Sequence, residues 1–380
     1  MRFQELLKYK TEHRLTQEEA ARLLGVSDRT FRRYLWRYEA DGIDGLIDKR
    51  IKQASQRRAP VNEAIALTAL YKAHYFGWNV KHFFRFYKQK HDGLRSYTWV
   101  KKSLQKEGLV ATSCLRGAHR LKRERAPLEG MMLHQDGSDH EWVPNQRWDL
   151  IVTMDDATSK HYSMFFVNEE GTASSFQALK EVIQTKGLCC SLYTDRGSHY
   201  WTTPEVGGQV DKQNLTQFGR AMHQLGIEMI AAYSPEARGR SERQFRTHQG
   251  RLPKELAMHG ITTMAEANEY LKNTYMPAYN AEFAVPAPVE GSAFVPWVGG
   301  ELDEILCEQY ERIVGKDNCV RFKGLVLQIP KDKYRCHYVK AKVRVHCYVD
   351  GQLAVFHGPR KLATYDDKGN LKMLENKKAA

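Results

Sequence analysis

Three acidic side chains, far apart in the sequence, stand where this pattern of residues could gather them. They are Asp136 in "LHQDGSDHEW", Asp195 in "LYTDRGSHY" and Glu242 in "RGRSERQFRTHQ". Carboxylates held together repel one another and lose hydration, so the arrangement is costly unless a cation occupies the space between them. Oxygen donors with room for water and phosphate suit Mg²⁺, with Mn²⁺ as a substitute. Two such ions about 3.5–4 Å apart stabilise both the attacking and the leaving oxygen of an in-line phosphodiester displacement. Each residue also has a plainer reading. Asp195 is a turn residue, Glu242 a solvated helix residue, and Asp139, Glu141, Asp155 and Asp156 all compete with Asp136 for the first position. The order of the surrounding elements is what favours the chemical reading.

Those elements follow from periodicity. "MMLHQDGSD", "RWDLIVTMDDAT" and "HYSMFFVNE" read as three successive strands in an antiparallel meander. In "TASSFQALKEVIQTKG", Phe176, Leu179, Val182 and Ile183 recur at helical spacing, and a buried strand then ends on Asp195. A helix near "LTQFGRAMHQLG", a strand at "IEMIAAY" and a final helix after Pro235 complete a mixed α/β domain over 129–284. A first strand at the centre, paired beside the fourth, makes two strand ends neighbours and lets the last helix cross beside them.

The N-terminal third has a different character. Residues 1–127 hold 28 Lys and Arg against 13 Asp and Glu, whereas the whole chain has a net charge of +13. The basic charge is therefore concentrated in this third, which suits a polyanion. Thr16 with Glu19 forms a capping box, Gly25 supplies a tight turn, and Ser27 caps a second helix with Phe31, Leu35 and Tyr38 on one face. That is a helix-turn-helix over 1–50, with Arg29, Arg32, Arg33 and Arg37 on the face that would meet a major groove. Three further helices over 60–112 form a second helix-turn-helix or winged-helix-like module, with Lys101 and Lys102 facing outward. A basic linker, 113–128, follows.

Beyond a Pro/Gly-rich stretch, residues 300–368 alternate in period two with frequent turns, as in a small β-barrel. Cys336, His337, His346 and Cys347 fall symmetrically about a possible hairpin, but adjacent residues on a strand point to opposite faces, so strand residues are expected rather than a zinc site. Seven cysteines without a C-x-x-C pair, no apolar run long enough to span a bilayer and no secretory leader point to a cytoplasmic protein with no membrane contact.

At "HQDGSDHEW", "LYTDRGSHY" and "AAYSPEARGRSERQFRTHQ" the chain resembles DDE transposases with an integrase-type, RNase H-like core, of the insertion-sequence group called ISNCY-type. The resemblance covers nearly the whole chain. It implies an RNase H-like domain with a mixed five-stranded sheet and an SH3-like C-terminal barrel. It also selects Glu242 over Glu236, because the family glutamate follows a Pro and a Gly-basic step. Asp136, Asp195 and Glu242 would be both the catalytic residues and the ligands of Mg²⁺ or Mn²⁺. Arg238, Arg240, Arg243 and Arg246 would contact phosphates; contact of His199 and Trp201 with a flipped or distorted DNA end is the less favoured reading of those two residues. The insert "YWTTPEVGGQVDKQNLTQ" makes the Asp195–Glu242 interval longer than is common in the family.

The implied function is binding to the terminal inverted repeats of a mobile element, 3′-end cleavage, and strand transfer into double-stranded target DNA. Because two ends must be joined, a homodimer or higher oligomer on DNA is expected, associated with the nucleoid. The alternatives are a DNA-binding regulator with a silent RNase H-like domain, or a nuclease without strand transfer.

Overall fold

A computed structural model of the chain describes residues 2–48, 59–112, 124–205, 208–233 and 239–372. The contacts divide into two compact units: Met1–Phe76 with Thr98–Val110, and Gly77–Tyr97 with Ala111–Ala380. The inter-module stretch 49–58, most of the basic linker and the C-terminal tail lie outside the described residues.

The first unit contains helices α1 (Arg2–Thr11), α2 (Gln17–Leu24), α3 (Asp28–Asp41), α4 (Val61–His74) and, with its first residue in the second unit, α6 (Tyr97–Lys106). The Thr16 hydroxyl accepts from the Glu19 N–H, and the Glu19 carboxylate accepts from the Thr16 N–H at 2.8 Å, so α2 begins where the sequence signal places it. Gly25, at φ +77°, closes α2 in the left-handed region that a side chain disfavours. Phe31 and Leu35 of α3 pack with Ala20 and Ala21 of α2 and with Phe3 and Leu6 of α1. The first helix was not anticipated, and it completes this core.

The second unit is built on a five-stranded sheet in the order β3-β2-β1-β4-β5. Its strands are β1 (Met132–Val143), β2 (Gln146–Asp155), β3 (His161–Val167), β4 (Ser191–Thr194) and β5 (Glu228–Ala231). β1–β3 form the expected antiparallel meander, while β4 is parallel to β1 and to β5. Helices α7 (Thr172–Thr185) and α8 (Gln217–Leu225) cover one face, burying Phe176, Leu179 and Phe218 with Leu133 and Leu192. Helix α9 (Gly239–Met258), with α10 (Met264–Tyr270) and α11 (Met276–Phe283), covers the other. There Phe245, Leu252 and Tyr275 meet Leu150, Val152 and Phe166. Covering both faces explains why β2 is buried without a break from Leu150 to Asp155.

Helix α5 (Val80–Lys90) belongs to this second unit although its sequence neighbours α4 and α6 belong to the first. His82 of α5 and Glu255 of α9 are both fully buried, with Nε2 and Oε1 2.7 Å apart, and the Tyr270 hydroxyl donates to the other Glu255 oxygen at 2.6 Å.

The C-terminal strands are β6 (Glu308–Ile313), β7 (Cys319–Phe322), β8 (Leu325–Gln328), β9 (Lys342–Cys347), β10 (Leu353–His357), β11 (Arg360–Tyr365) and β12 (Leu371–Lys372). They form an open sheet, β12-β11-β10-β9-β6, and a separate β7–β8 hairpin sharing one apolar core. The ladder among the described strands does not close into the expected barrel. Lys323 and Gly324, both at positive φ, make the two-residue hairpin turn that matches strand twist. His346 is buried on β9 and stacks on Phe356 at 4.1 Å, while Cys336 is exposed.

Candidate active site

β1 and β4 run in parallel register, with Leu133 opposite Leu192 and His134 opposite Tyr193. Asp136 and Asp195 each lie two residues beyond the last of these pairs. Side chains alternate along a strand, so Asp136 belongs to the sheet face of His134, and Asp195 stands at the same level as the first residue past β4. β4 stops at Thr194 while β1 continues to Val143, so the two aspartates stand where β1 outruns its neighbour. Asp136 is buried and its Oδ1 accepts from the Gly137 N–H at 3.0 Å. Asp195 is half-buried and its Oδ1 accepts from the Gly197 N–H at 2.8 Å, so it serves the turn as well.

The four competing acids have other tasks. Asp139 pairs with exposed Arg147 at 2.5 Å, and Glu141 accepts from the Asn145 N–H in the β1–β2 hairpin. Asp155 is fully buried and accepts from Gly130 N–H, Thr158 N–H and the Thr158 hydroxyl; burial pushes its carboxyl above the usual range. Burial also opposes ionisation of Asp156. Hydrogen bonds from His134 at 2.7 Å, the Ala126 N–H at 2.7 Å and Arg240 outweigh that and hold its carboxyl well below the ordinary value. These two residues order the end of β2.

Helix α9 lies along β1 on the face of Asp136. His134, Asp136, Val152 and Met154 face Ser241, Gln244, Phe245 and His248 across a narrow crevice. Gln249 Nε2 donates to Ser138 Oγ at 3.0 Å. Glu242 is seven residues before Gln249, on the same stripe and roughly 10 Å nearer the helix start. At ~3.3 Å per strand residue, that places its backbone about level with Gln135–Asp136. The Glu242 side chain is exposed, and among the described residues no group of three or more His, Cys, Asp or Glu is gathered tightly enough to hold a metal ion. The donor set nevertheless fits a hard cation in kind: two carboxylates at matching positions on adjacent strands, with a third on the helix stripe beside them.

The basic residues divide. Arg243 and Arg246 are exposed on α9, as are Arg29, Arg32, Arg33 and Arg37 on α3. Lys102 is exposed and Lys101 half-buried on α6. Arg240 differs from expectation: it turns inward onto buried Asp156 and donates to the Glu124 carbonyl at 3.0 Å. Arg238 lies outside the described residues. Trp201 does not take up the less favoured place at a DNA end, because it is a core side chain whose Nε1 donates to Thr194 Oγ1 at 2.9 Å.

Glu170, which the sequence did not single out, sits at the same rim. Its N–H donates to Asp149 Oδ2 at 2.6 Å and its carboxylate lies over Gly137. Its Oε1 is 3.5 Å from His199 Nε2.

Residues 2–61 match the family described as winged helix-turn helix. Over 363 residues the chain is 30% identical to "Putative transposase y4bF" of Sinorhizobium fredii (strain NBRC 101917 / NGR234), covering 92% of this chain and 77% of that protein. The chain belongs to the transposase family. The transposase for insertion sequence IS1202 of Streptococcus pneumoniae is 29% identical over 202 residues, covering 53% of this transposase and 43% of that one. Two solved structures share looser likenesses. The simian T-cell lymphotropic virus intasome in complex with PP2A regulatory subunit B56 gamma has 14% identity and a TM-score of 0.35, over 71% of this chain and 91% of that one. The HTLV-2 integrase catalytic core domain in complex with magnesium has 16% identity and a TM-score of 0.30, over 39% of this chain and 88% of that one. At those scores they decide nothing further about this transposase. Among the described residues no helix is long and apolar enough to cross a membrane.

Proposed function

We propose that this transposase cuts the ends of a mobile DNA element and joins the freed 3′-hydroxyls to target DNA, using Asp136, Asp195 and Glu242. The carrying observation is the matched position of Asp136, on β1 where that strand outruns β4, and Asp195, just past the end of parallel β4, with α9 laid along β1. Ligand sites of open α/β sheets lie at such carboxyl ends of strands.

In the first step water attacks the scissile phosphorus, the P–O3′ bond breaks, and the 3′-oxygen leaves as a hydroxyl. In the second, that hydroxyl attacks a target phosphorus and displaces another 3′-oxygen, so no covalent link to protein is needed. Bound Mg²⁺ or Mn²⁺ supplies charge neutralisation at the phosphate and lowers the cost of ionising the attacking oxygen. Asp136 and Asp195 orient that charge from the sheet and Glu242 completes the set from α9. Exposed Arg243 and Arg246 contact phosphates, and Arg29, Arg32, Arg33 and Arg37 present α3 to the terminal repeats. The C-terminal strands add DNA contact or assembly surface, and at least two copies act together on paired ends.

Asp195→Asn tests this. Cleavage and strand transfer of a labelled end in Mg²⁺ should fall by at least about 10³-fold, a loss of ~4 kcal/mol of transition-state stabilisation, while end binding persists. Parental cutting by the variant would refute the assignment. A parent that binds ends and never nicks them would point instead to a regulator, and one that cuts without joining would point to a nuclease.

A further inference from the structure

We propose that Glu170 and His199 form a positioning pair that braces β1 beside Asp136 against the turn after β4 that holds Asp195; the role rests on the function proposed above. Glu170 lies in the connection between β3 and α7, with its backbone held by Asp149 Oδ2 at 2.6 Å. Its carboxylate occupies space that no other residue at position 137 would leave: a Cβ on Gly137 would stand 2.2 Å from Oε2 and 2.5 Å from Cδ. Gly137 directly follows Asp136, so one end of the pair rests on the strand that bears the first aspartate.

The other end rests on the turn after β4. His199 Nε2 is 3.5 Å from Glu170 Oε1, and that nitrogen is buried with no hydrogen-bond partner. The imidazole packs against the Tyr200 ring, tilted by 46° with centroids 3.9 Å apart, which restricts its direction. Gly197 repeats the device seen at Gly137. A Cβ there would stand 3.0 Å from Asp195 Oδ1 and 3.0 Å from His199 Cε1, so the aspartate and the histidine pack over the same glycine. Glu170 and His199 thus span from the residue after Asp136 to the turn that orients Asp195. Shortening their 3.5 Å separation to a hydrogen bond draws β1 at Gly137 and the turn after β4 together. Groups that orient metal-holding side chains in this way commonly change metal affinity by 10–100-fold when removed.

The test uses the full chain and Mn²⁺, read by the electron paramagnetic resonance of free ion, beside Mg²⁺-dependent end cleavage and thermal unfolding in metal-free buffer. Glu170→Ala and His199→Ala are each expected to weaken Mn²⁺ binding and slow cleavage by about 10–100-fold. The double variant should be little worse than either single, because the two act as a unit. His199→Gln and Glu170→Gln, which keep a hydrogen bond, should restore most of the loss, and metal-free melting should not shift. Gly137→Ala displaces Glu170 without removing it and should match Glu170→Ala. If both alanine variants bind Mn²⁺ within twofold of the parent while Asp195→Asn loses it, this inference fails and the proposed function stands. If Asp195→Asn itself binds Mn²⁺ as the parent does, both fail.

Discussion

The two halves of α9 are held in different ways. In the C-terminal half, Glu255 is buried between His82 and Tyr270, and Arg251 makes two bonds to Glu282 at 2.8 and 2.9 Å. His248, at the middle, sits fully buried against His161 and Tyr275, with Nε2–Nε2 and Nδ1–O distances both 3.0 Å. In the N-terminal half the buried side chains are Ser241 and Phe245, Arg240 ties the first turn to Asp156, and Glu242, Arg243 and Arg246 face solvent. The helix is anchored firmly away from Glu242, and the stripe proposed to meet DNA and a cation is the one left exposed.

Breaking the anchored half should cost most. Burial holds the His82 pKa below its ordinary value, so the ring is neutral, and Glu255→Ala leaves it and the Tyr270 hydroxyl without their shared acceptor at about 1–3 kcal/mol for each buried group left unsatisfied. The second unit should show a matching drop in denaturation midpoint by tryptophan fluorescence, whereas the α1–α3 unit should not. Acid acts on the same half. Burial lowers the His161 pKa to about 4 and holds His248 well below its ordinary value, so the folded chain keeps both neutral. Below about pH 6.5 the unfolded chain binds protons that the folded chain refuses. Stability should therefore be full above that pH and fall by up to roughly 3 kcal/mol through His161 towards pH 4, with His248 acting in the same direction. His161→Phe should flatten this slope in a pH series of denaturant midpoints.

Arg240→Ala loosens the other half. It should cost about 1–3 kcal/mol, since it takes one charged donor from buried Asp156 while His134 and the Ala126 N–H remain. Its larger effect should fall on cleavage, through a mobile first turn beneath Glu242. If cleavage and stability both stay at the parental level, the first turn needs no anchor and the contrast between the halves disappears.

The sequence carried the elements well and their orientations unevenly. Asp195 at a strand end was legible because "LCCSLYT" is apolar enough to be buried and ends abruptly in charge. The antiparallel meander, the pairing of β4 beside β1 and the final helix followed from period and order. Arg240 was not separable from Arg243 and Arg246, because four arginines near one glutamate look alike until Asp156 is brought beneath one of them by β2. Glu170 left no signal of its own. Its position depends on the absence of a side chain at Gly137 on another strand, which no local pattern encodes. The C-terminal strands were legible one by one, but whether a ladder closes depends on pairing across the whole sheet.

The segment Gly77–Tyr97 gives the molecule a woven connectivity: the chain leaves the first unit, contributes α5 to the second, returns for Thr98–Val110 and leaves again. No single cut can therefore release both units intact. Exchanging the N-terminal half between relatives at one crossover would transplant or orphan the helix that buries Glu255. If α3 reads DNA as proposed, new specificities would be more readily acquired by changing its residues than by shuffling whole modules.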